Sequence, residues 1–358
     1  MTEHPGFQSS PAPAAIRPGA FTEAALPVRA TATDGRERHQ HPMDGGAAVV
    51  TVTVNPAMDL FLQVDRLVPG TLHRVQQPLP YTGGKGINVT KALHTFGIPT
   101  VATGFLGGSR GAWIEQELRE SGISASFVWT HAPTRVNVKV TEADGRLTEF
   151  NASAPGFSGA DWRSLEDHLD NLTAPGGWLA LCGNLPESAN PDWYQGRIEW
   201  ARAKGLHTVL DASGEALRRG IAATPDVIKP NLTELEEYVG DKLISVKEVV
   251  RAAARLCEQG IRFVAVSIGK SGLVAVTRSE RIWAHVPKVP VVSSVGAGDT
   301  VVAGIVYGLH HQFSLADTAR FAAAAGTAAV QTDGSRRPLL QDVQAVIPQV
   351  ELESLPQP

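Results

Sequence analysis

Residues 47–56 read AAVVTVTVNP, and this β-branched run is typical of a mostly buried strand. Downstream, apolar strand-like segments alternate with helical patterns. The further strands are predicted at residues 100–106, 178–182, 207–211, 227–229 and 263–268. The helices are predicted at residues 113–121, 193–204, 215–220, 232–239 and 246–259. Repeated strand–helix units predict an α/β fold with a parallel sheet covered by helices on both faces.

Two segments, residues 60–81 and residues 134–150, do not follow this alternation of strands and helices. The second contains the alternating run RVNVKV at residues 135–140, and the dipeptide Asp144-Gly145 is typical of a turn. We therefore expect extra strands that form a small lid on the main sheet.

Upstream of the first strand, residues 1–46 are rich in Pro, Ala, Gly and Thr and lack periodic apolar positions. Such a segment cannot bury enough apolar surface to offset its ordering entropy. We predict a disordered tail followed by one domain over residues 47–350. His39 and His41 lie in this tail, where two histidines are more often incidental than a metal site.

Composition excludes several classes of protein. The 358 residues are 43% hydrophobic and carry a net charge of −4, with Lys and Arg dispersed, so a nucleic-acid partner is not expected. Cys182 and Cys257 each lie in an apolar stretch and predict buried free thiols. Neither a membrane-spanning run nor a secretion signal is visible. We expect a cytoplasmic globular enzyme with no membrane partner.

The segment VVSSVGAGDT at residues 291–300 predicts a strand, a glycine turn and the start of a helix. Free backbone N–H groups and the positive helix end would meet there and form an anion hole. Asp299 could cap this helix, or it could accept a proton from an attacking hydroxyl. Ala303 and Gly304 could admit a ligand or serve close helix packing. The residues alone leave both pairs of alternatives open.

A second glycine cluster, YTGGKGINV at residues 81–89, precedes a helix predicted at residues 90–96. Glycines let the backbone approach a ligand, Lys85 supplies a cation, and Asn88 offers a donor and an acceptor to sugar hydroxyls. The alternative is a tight turn with an asparagine at the helix start.

Standard nucleotide motifs are absent, since the chain has no GxxxxGK[ST] and no GxGxxG that opens a helix. Phosphoryl transfer would need cations and oriented N–H groups instead. Arg135, Lys139 and Lys85 are candidates, although Arg135 and Lys139 could equally form a solvated strand face.

The stretch GGSRG at residues 107–111 fits the GxSxG pattern of serine hydrolases and lies between a predicted strand and a helix. A hydrolase also needs an acid and a histidine at downstream loop ends, and no histidine has an obvious position of that kind. A serine hydrolase that uses Ser109 is therefore a remote alternative.

Six motifs occur together and in order over about residues 49–346. They are NPAMD at 55–59, GGKGINV at 83–89, TRVNVK at 134–139, KPNLTEL at 229–235, SIGKSG at 267–272 and VGAGD at 295–299. In these motifs the chain resembles the phosphofructokinase B branch of the ribokinase-like sugar kinases. Within that branch it is most similar to the 1-phosphofructokinase group.

The resemblance implies a ribokinase-like three-layer sandwich with a mostly parallel sheet and a β lid, and a homodimer formed through the lids. It implies ATP-dependent phosphorylation of fructose 1-phosphate to fructose 1,6-bisphosphate. Tagatose 6-phosphate and fructose 6-phosphate rank behind as substrates. Lys85 interrupts the glycine run, which resembles the 1-phosphofructokinase and tagatose-6-phosphate kinase branches more than the 6-phosphofructokinases, where an all-glycine run is common. A non-catalytic sugar-phosphate sensor on the same scaffold stays an alternative.

The resemblance also implies roles for individual residues. Asp299 would be the catalytic base. The anion hole would consist of Gly296, Ala297 and Gly298. The sugar phosphate would be bound by Asp59, Gly83, Gly84, Lys85, Asn88, Arg135, Lys139 and Asn184, the last where relatives commonly have a serine. ATP would lie against Lys229, Asn231, Glu234, Ser267, Ile268, Gly269, Lys270, Ser271 and Gly272. Mg²⁺ would be held by phosphates and water, with Glu234 acting through water. Potassium near the Ala297 loop is a further cofactor that the resemblance leaves open.

Overall fold

The computed structural model describes residues 49–75, 77–334 and 336–356. The predicted disordered tail, with His39 and His41, lies outside these residues. The strands are β1 Val49–Thr53, β2 Ala57–Val64, β3 Leu79–Gly83, β4 Thr100–Leu106, β5 Ser124–Ala125, β6 Val128–Trp129, β7 Arg135–Glu142, β8 Leu147–Asn151, β9 Trp178–Cys182, β10 His207–Asp211, β11 Val227–Ile228, β12 Phe263–Ser267, β13 Leu273–Val276, β14 Arg281–His285 and β15 Glu351–Ser354. The helices are α1 Lys85–Thr95, α2 Gly108–Glu120, α3 Gly159–Leu172, α4 Trp193–Ala203, α5 Gly214–Ala222, α6 Leu232–Val239, α7 Val246–Glu258, α8 Ala297–His310, α9 Leu315–Val330 and α10 Leu340–Val346, with 3-10 turns at Gly269–Ser271 and Ile347–Gln349.

The main sheet has the strand order β15-β14-β13-β12-β11-β10-β9-β1-β4-β5, with β6 also pairing with β4. All neighbours from β12 to β5 pair in parallel, so the prediction of a mostly parallel sheet is confirmed. β13, β14 and β15 add antiparallel strands at one edge. The strand–helix rhythm could not reveal these three strands, because neighbouring antiparallel strands need no helix between them.

Helices cover both faces of this sheet, as a three-layer sandwich requires. One apolar core lies between the sheet and α1, α8, α9 and α10, and a second lies between the sheet and α3 to α7. All five residues of β1 are buried; Val49 belongs to the first core and Val50 to the second. None of the described helices combines the length and the apolar character that a membrane crossing requires.

A separate four-stranded sheet, the lid, has the order β3-β2-β7-β8. Since side chains alternate along a strand, the register gives its two faces different characters. The inner face carries polar groups, including Asp59, Asn137 and Lys139. We call the other side the outer apolar face, which consists of Met58, Leu60, Leu62, Val136, Val138 and Phe150. A separate smaller sheet is therefore present, and its strands begin at Ala57 and end at Asn151, beyond the predicted segments 60–81 and 134–150.

Two local predictions were wrong. Helix α1 begins at Lys85, directly after Gly84 with its positive φ of 130°, and not at residue 90, so Lys85 and Asn88 lie in its first turn. The valines before the glycine turn do not form a strand. Val291 and Val292 are 67% and 62% exposed, and the Val292 N–H donates to Val330 at the end of α9.

Candidate active site

The carboxyl ends of β9, β10, β11 and β12 meet at one edge of the main sheet because these strands run in parallel. Ligands in open α/β sheets usually bind outside this edge. Four polar side chains lie at these ends, on Asn184, Asp211, Lys229 and Ser267. Three of them were predicted from the sequence, and Asp211 was not.

Asp299 is the third residue of α8. The helix is capped by the backbone of Gly296, whose φ is 74°, and no side chain caps it. The Asp299 Oδ2 atom accepts a hydrogen bond from the Asn88 side-chain amide at 2.7 Å. The side chain therefore does not cap its helix, and this contact joins the two glycine clusters of the sequence at one point.

Burial raises the pKa of Asp299 above its ordinary value, and Asp211 adds to this shift. Lys85, Arg337 and the Asn88 hydrogen bond oppose it without cancelling it. Only 6% of Asp299 is exposed. A carboxylate with a raised pKa accepts a proton more readily than an ordinary aspartate, which suits a general base.

The first turn of α8 lies close to a lysine. A Cβ at Gly298 would be 3.7 Å from the Lys229 Nζ atom. With no side-chain cap on this helix, its first N–H groups and the Lys229 ammonium group form a positive environment beside Asp299. An arrangement of this kind can bind a phosphate.

Asp211 links the two lysines of the site. Its carboxylate lies 3.2 Å from Lys85 Nζ and 3.4 Å from Lys229 Nζ, and its side chain is fully buried. Burial alone would raise the pKa of Asp211, but Lys229 and Lys85 outweigh it and the net shift is downward. Asp211 in turn raises the pKa of Lys85 well above its usual range. The sequence signal for Asp211 is an acidic residue that closes an apolar strand.

On the lid, Asp59 is held by two neighbours from β7. The Asn137 amide donates to Asp59 Oδ1 at 2.8 Å, and Lys139 Nζ lies 3.3 Å from Asp59 Oδ2. A Cβ at Gly83 would lie 2.6 Å from the same carboxylate. Asn137 was missed by the sequence prediction, although its place between Arg135 and Lys139 in an alternating strand puts all three on one face.

Arg135 and Lys139 do not form a solvated strand face. Lys139 is buried and bridges Asp59 and Glu149, at 3.3 and 3.4 Å. Arg135 donates to Asn137 Oδ1, to the Ala152 carbonyl and to the Asn55 carbonyl. Burial lowers the pKa of Arg135 from its ordinary value. Both cations are therefore oriented by protein acceptors.

The residues predicted to bind nucleotide lie around the start of α6. Asn231 and Glu234 form a reciprocal capping box, with hydrogen bonds of 2.8 and 2.9 Å. A β-bridge joins Asn231 to Ser267, so the next loop lies beside them. That loop contains Ile268, Gly269, Lys270, Ser271 and Gly272, and Trp283 donates to the Ser271 carbonyl. Their contact with ATP stays a prediction.

The hydrogen bonds of three further residues distinguish their roles. Asn184 accepts hydrogen bonds from the backbone and hydroxyl of Ser213, at 3.2 and 2.6 Å. Arg337, which the sequence prediction missed, donates to Asn88 Oδ1 at 3.0 Å. Ser109 lies in the first turn of α2, and within the described chain it has no hydrogen bond to a histidine. Ser109 therefore lacks the partner of a hydrolase nucleophile.

The described ranges contain no group of three or more His, Cys, Asp or Glu side chains that could hold a metal ion. Glu234 is the acidic side chain that the resemblance puts forward, and one of its oxygens accepts from the Asn231 backbone.

A family model and two named relatives each match this chain over most of its length. The model of the pfkB family carbohydrate kinases matches residues 48–342. A protein named 1-phosphofructokinase from Bacillus subtilis is 35% identical over 309 residues, which cover 86% of this chain and 100% of that protein. One of the same name from Escherichia coli K12 is 38% identical over 284 residues, covering 79% and 90%.

Among solved structures, phosphofructokinase-2 from Escherichia coli is similar over 84% of this chain and 98% of its own, at 28% identity. Its complex with potassium has a TM-score of 0.81, and its complex with fructose-6-phosphate has a TM-score of 0.80.

Proposed function

This chain belongs to the pfkB family of carbohydrate kinases, and from that premise we propose that it transfers a phosphoryl group from ATP to fructose 1-phosphate, giving fructose 1,6-bisphosphate. The names of the B. subtilis and E. coli relatives support this choice of sugar. Fructose 6-phosphate is the second candidate, because a structurally similar kinase has been solved with it. Tagatose 6-phosphate ranks with it.

We propose that Asp299 is the general base. The observation that carries this proposal is the buried Asp299 carboxylate, fixed by Asn88 at the uncapped start of α8. One oxygen holds the Asn88 amide, and the carboxylate retains further lone pairs for the proton of a sugar hydroxyl. That oxygen of the sugar then attacks the γ-phosphorus of ATP, and ADP leaves. The N–H groups of the Gly296-Ala297-Gly298 turn would stabilise the charge of the moving phosphoryl group.

The sugar phosphate would lie between the lid and α1. Asp59, Asn88 and the glycines at Gly83 and Gly84 would contact its hydroxyls, with Asn184 at the neighbouring strand end. Arg135 and Lys139 would bind the phosphate that the substrate already carries. Both cations are engaged by protein acceptors, so binding would exchange one set of partners for another. Closure of the lid would exclude water, which would otherwise compete as the acceptor.

ATP would bind with its phosphates near Lys229 and the start of α8, and with the rest along Asn231 and the Ser267–Gly272 loop. We propose Mg²⁺ as the divalent metal, and its charge would neutralise the phosphate oxygens during transfer. Glu234 would act on it through water. Potassium near the Ala297 loop stays a prediction, supported by a relative solved with that ion.

We propose a homodimer formed through the lids. β2, β7 and β8 pack mainly against one another and against β3. The outer apolar face is therefore left without a covering helix in the described chain, and Phe150 on it is 55% exposed. We expect the outer apolar face to pack against the same face of a second copy of the chain. A cytoplasmic location is part of the proposal, since both cysteines are free and buried.

The test is turnover of the Asp299→Asn variant, measured by ADP release with fructose 1-phosphate, fructose 6-phosphate, tagatose 6-phosphate and unphosphorylated sugars. Wild type should prefer fructose 1-phosphate, and the variant should lose about 10²- to 10⁴-fold in kcat because the base is removed. Since burial raises the pKa of Asp299, the acid limb of the wild-type pH profile should lie above the pKa of an ordinary aspartic acid.

Asp317→Asn is the matched control, because Asp317 is the third residue of the neighbouring helix α9 and is exposed. It should keep wild-type turnover. Wild-type turnover in Asp299→Asn would remove Asp299 from the mechanism. Binding of a sugar phosphate without ADP release would favour the non-catalytic sensor.

A further inference from the structure

Arg337 follows α9 in the loop that leads to α10, and its guanidinium is buried beside the candidate base. Only 6% of the residue is exposed. One terminal nitrogen donates to the Asn88 Oδ1 atom at 3.0 Å, and the other donates to the Val295 carbonyl at 3.1 Å. Its Nε atom is buried without a hydrogen-bond partner in the described chain. A buried cation with incomplete pairing is costly, so a structural role alone explains it poorly.

Asn88 connects Arg337 to Asp299. The oxygen of its side-chain amide accepts from Arg337, and the nitrogen donates to Asp299 Oδ2 at 2.7 Å. An asparagine amide can adopt two orientations related by a half-turn. Arg337 can only donate, so it holds the oxygen on its own side and directs the NH₂ group at the carboxylate. In the opposite orientation, the amide oxygen would face a carboxylate oxygen and repel it.

The hydrogen bond from Arg337 to the Val295 carbonyl fixes the glycine turn that follows. Val295 precedes Gly296, whose φ of 74° starts α8. A Cβ at Gly296 would overlap the Arg337 guanidinium, so the turn and the arginine fit only because this residue is glycine. Arg337 therefore holds, through hydrogen bonds, both the Asn88 amide that orients Asp299 and the glycine turn that begins α8.

We propose that Arg337 is a positioning residue for phosphoryl transfer, which sets the orientation of Asn88, the direction of the Asp299 carboxylate and the geometry of the Gly296 turn. This inference rests on the proposed role of Asp299 as the base. The role rests on the contacts of Arg337 with Asn88 and with the Val295 carbonyl, and not on a contact with the sugar.

Arg337 also influences the charge of the base. The side chains that shift the pKa of Asp299 are Lys85 and Asn88 from α1, Asp211 from the end of β10, and Arg337, and the Lys229 ammonium group lies near the same helix start. Lys85, Arg337 and Asn88 lower the pKa of Asp299, whereas burial and Asp211 raise it. Removal of Arg337 therefore raises the pKa of Asp299 further. The base must be deprotonated to act, so the acid limb of the pH profile moves to higher pH.

The experiment compares Arg337→Met and Arg337→Lys with Arg336→Met, an exposed arginine in the same loop. In Arg337→Met we expect kcat to fall about 10- to 100-fold, because a charge-assisted hydrogen bond is lost. The KM for fructose 1-phosphate should change much less, and the acid limb should shift upward. Arg337→Lys keeps the charge and should restore the acid limb but only part of kcat, since a lysine cannot hold both acceptors in the same geometry. Arg336→Met should behave as wild type.

The same substitution is then made in Asp299→Asn. Arg337→Met should lower the residual rate of that variant by a smaller factor than it lowers wild-type kcat, because the contribution made through Asn88 and Asp299 is already lost and only the one made through the Gly296 turn remains. An equal loss in both backgrounds, or an unchanged acid limb in Arg337→Met, would overturn the inference. If Arg337→Met does not fold, the test rests on Arg337→Lys. A wild-type kcat in Arg337→Lys would then contradict the inference. Wild-type turnover in Asp299→Asn alone would instead refute the proposed function.

Discussion

Gly83 is the residue that brings the lid strand β3 into direct contact with Asp59. Its backbone conformation is one that any residue can adopt, since its φ is not positive. The requirement for glycine is therefore spatial. A Cβ would lie 2.6 Å from the Asp59 carboxylate, which Asn137 and Lys139 hold in place.

We expect Gly83→Ala to displace Asp59 and break its hydrogen bond to Asn137. Misplacement of a substrate-orienting group by about 1 Å can cost 10²-fold in rate, so kcat/KM for the sugar phosphate should fall about 10- to 100-fold. Steady-state kinetics with each substrate varied would measure this.

Gly156→Ala is the control, because its added Cβ would meet only Ser188 Oγ at 3.7 Å, an ordinary contact. It should leave kcat/KM unchanged. A Gly83→Ala variant with wild-type kcat/KM would show that the position of Asp59 is unimportant for the sugar.

Most site residues inside the motifs could be predicted from the sequence, with Asn137 as an exception, and their partners outside the motifs could not. Asp299 and Asn88 were both expected at the site, and they prove to be hydrogen-bonded to each other. Asp211 and Arg337 were missed, because each acquires its role only when distant segments fold together. Arg337 lies in the loop between α9 and α10, outside the six motifs of the sequence.

At the scale of elements, α8 and α9 pack closely along a line of small residues. A Cβ at Gly304 would lie 2.8 Å from the Ala322 Cα atom and 3.2 Å from the Ala325 Cβ atom. Gly304 therefore serves helix packing, which was one of the two alternatives that its small size allowed.

Gly304→Ala should destabilise the fold, although alanine favours a helix. Overpacking costs about 1–3 kcal/mol, and the gain in helix propensity offsets roughly 1 kcal/mol of it. Urea unfolding at constant m-value would measure the difference.

The matched substitution is Gly196→Ala in α4, where an added Cβ meets nothing within 4 Å. We expect it to stabilise by about 0.4–1 kcal/mol. Equal and favourable effects at both positions would contradict close packing of α8 on α9.

The alternation of strands and helices predicted the central elements, and α6 matches its predicted bounds, Leu232–Val239. The prediction was weaker where glycine sets a boundary. Gly84 and Gly107 begin α1 and α2 several residues earlier than the apolar periodicity indicated. Periodicity detects the buried face of a helix, whereas the first turn is fixed by backbone geometry.

At the scale of the whole molecule, the two faces of the lid differ in polarity, since the inner face is polar and the outer face is apolar. The inner face holds Asp59, Asn137 and Lys139 in a hydrogen-bonded group. The outer apolar face has no equivalent partners in the described chain. Such a surface is costly in water and is best covered by a like surface.

Phe150→Glu should therefore convert a homodimer into a monomer, because a charge buried in an apolar interface would lose its hydration. Analytical ultracentrifugation over a range of concentrations would measure the mass. Ile244→Glu, at a residue that is 88% exposed and outside the lid, should leave the mass unchanged. A monomeric wild type, or a dimeric Phe150→Glu, would contradict assembly through the lids.

The hydrogen bonds around Asn88 span a great length of chain. Asn88 is 211 residues from Asp299 and 249 residues from Arg337 in the sequence. Contacts so far apart form slowly, because the intervening loop must close before they can contribute. The orientation of the base is therefore complete only when the first turns of α1 and α8 and the loop before α10 have come together. A change in any of these three distant segments can therefore misplace the candidate base without altering Asp299 itself.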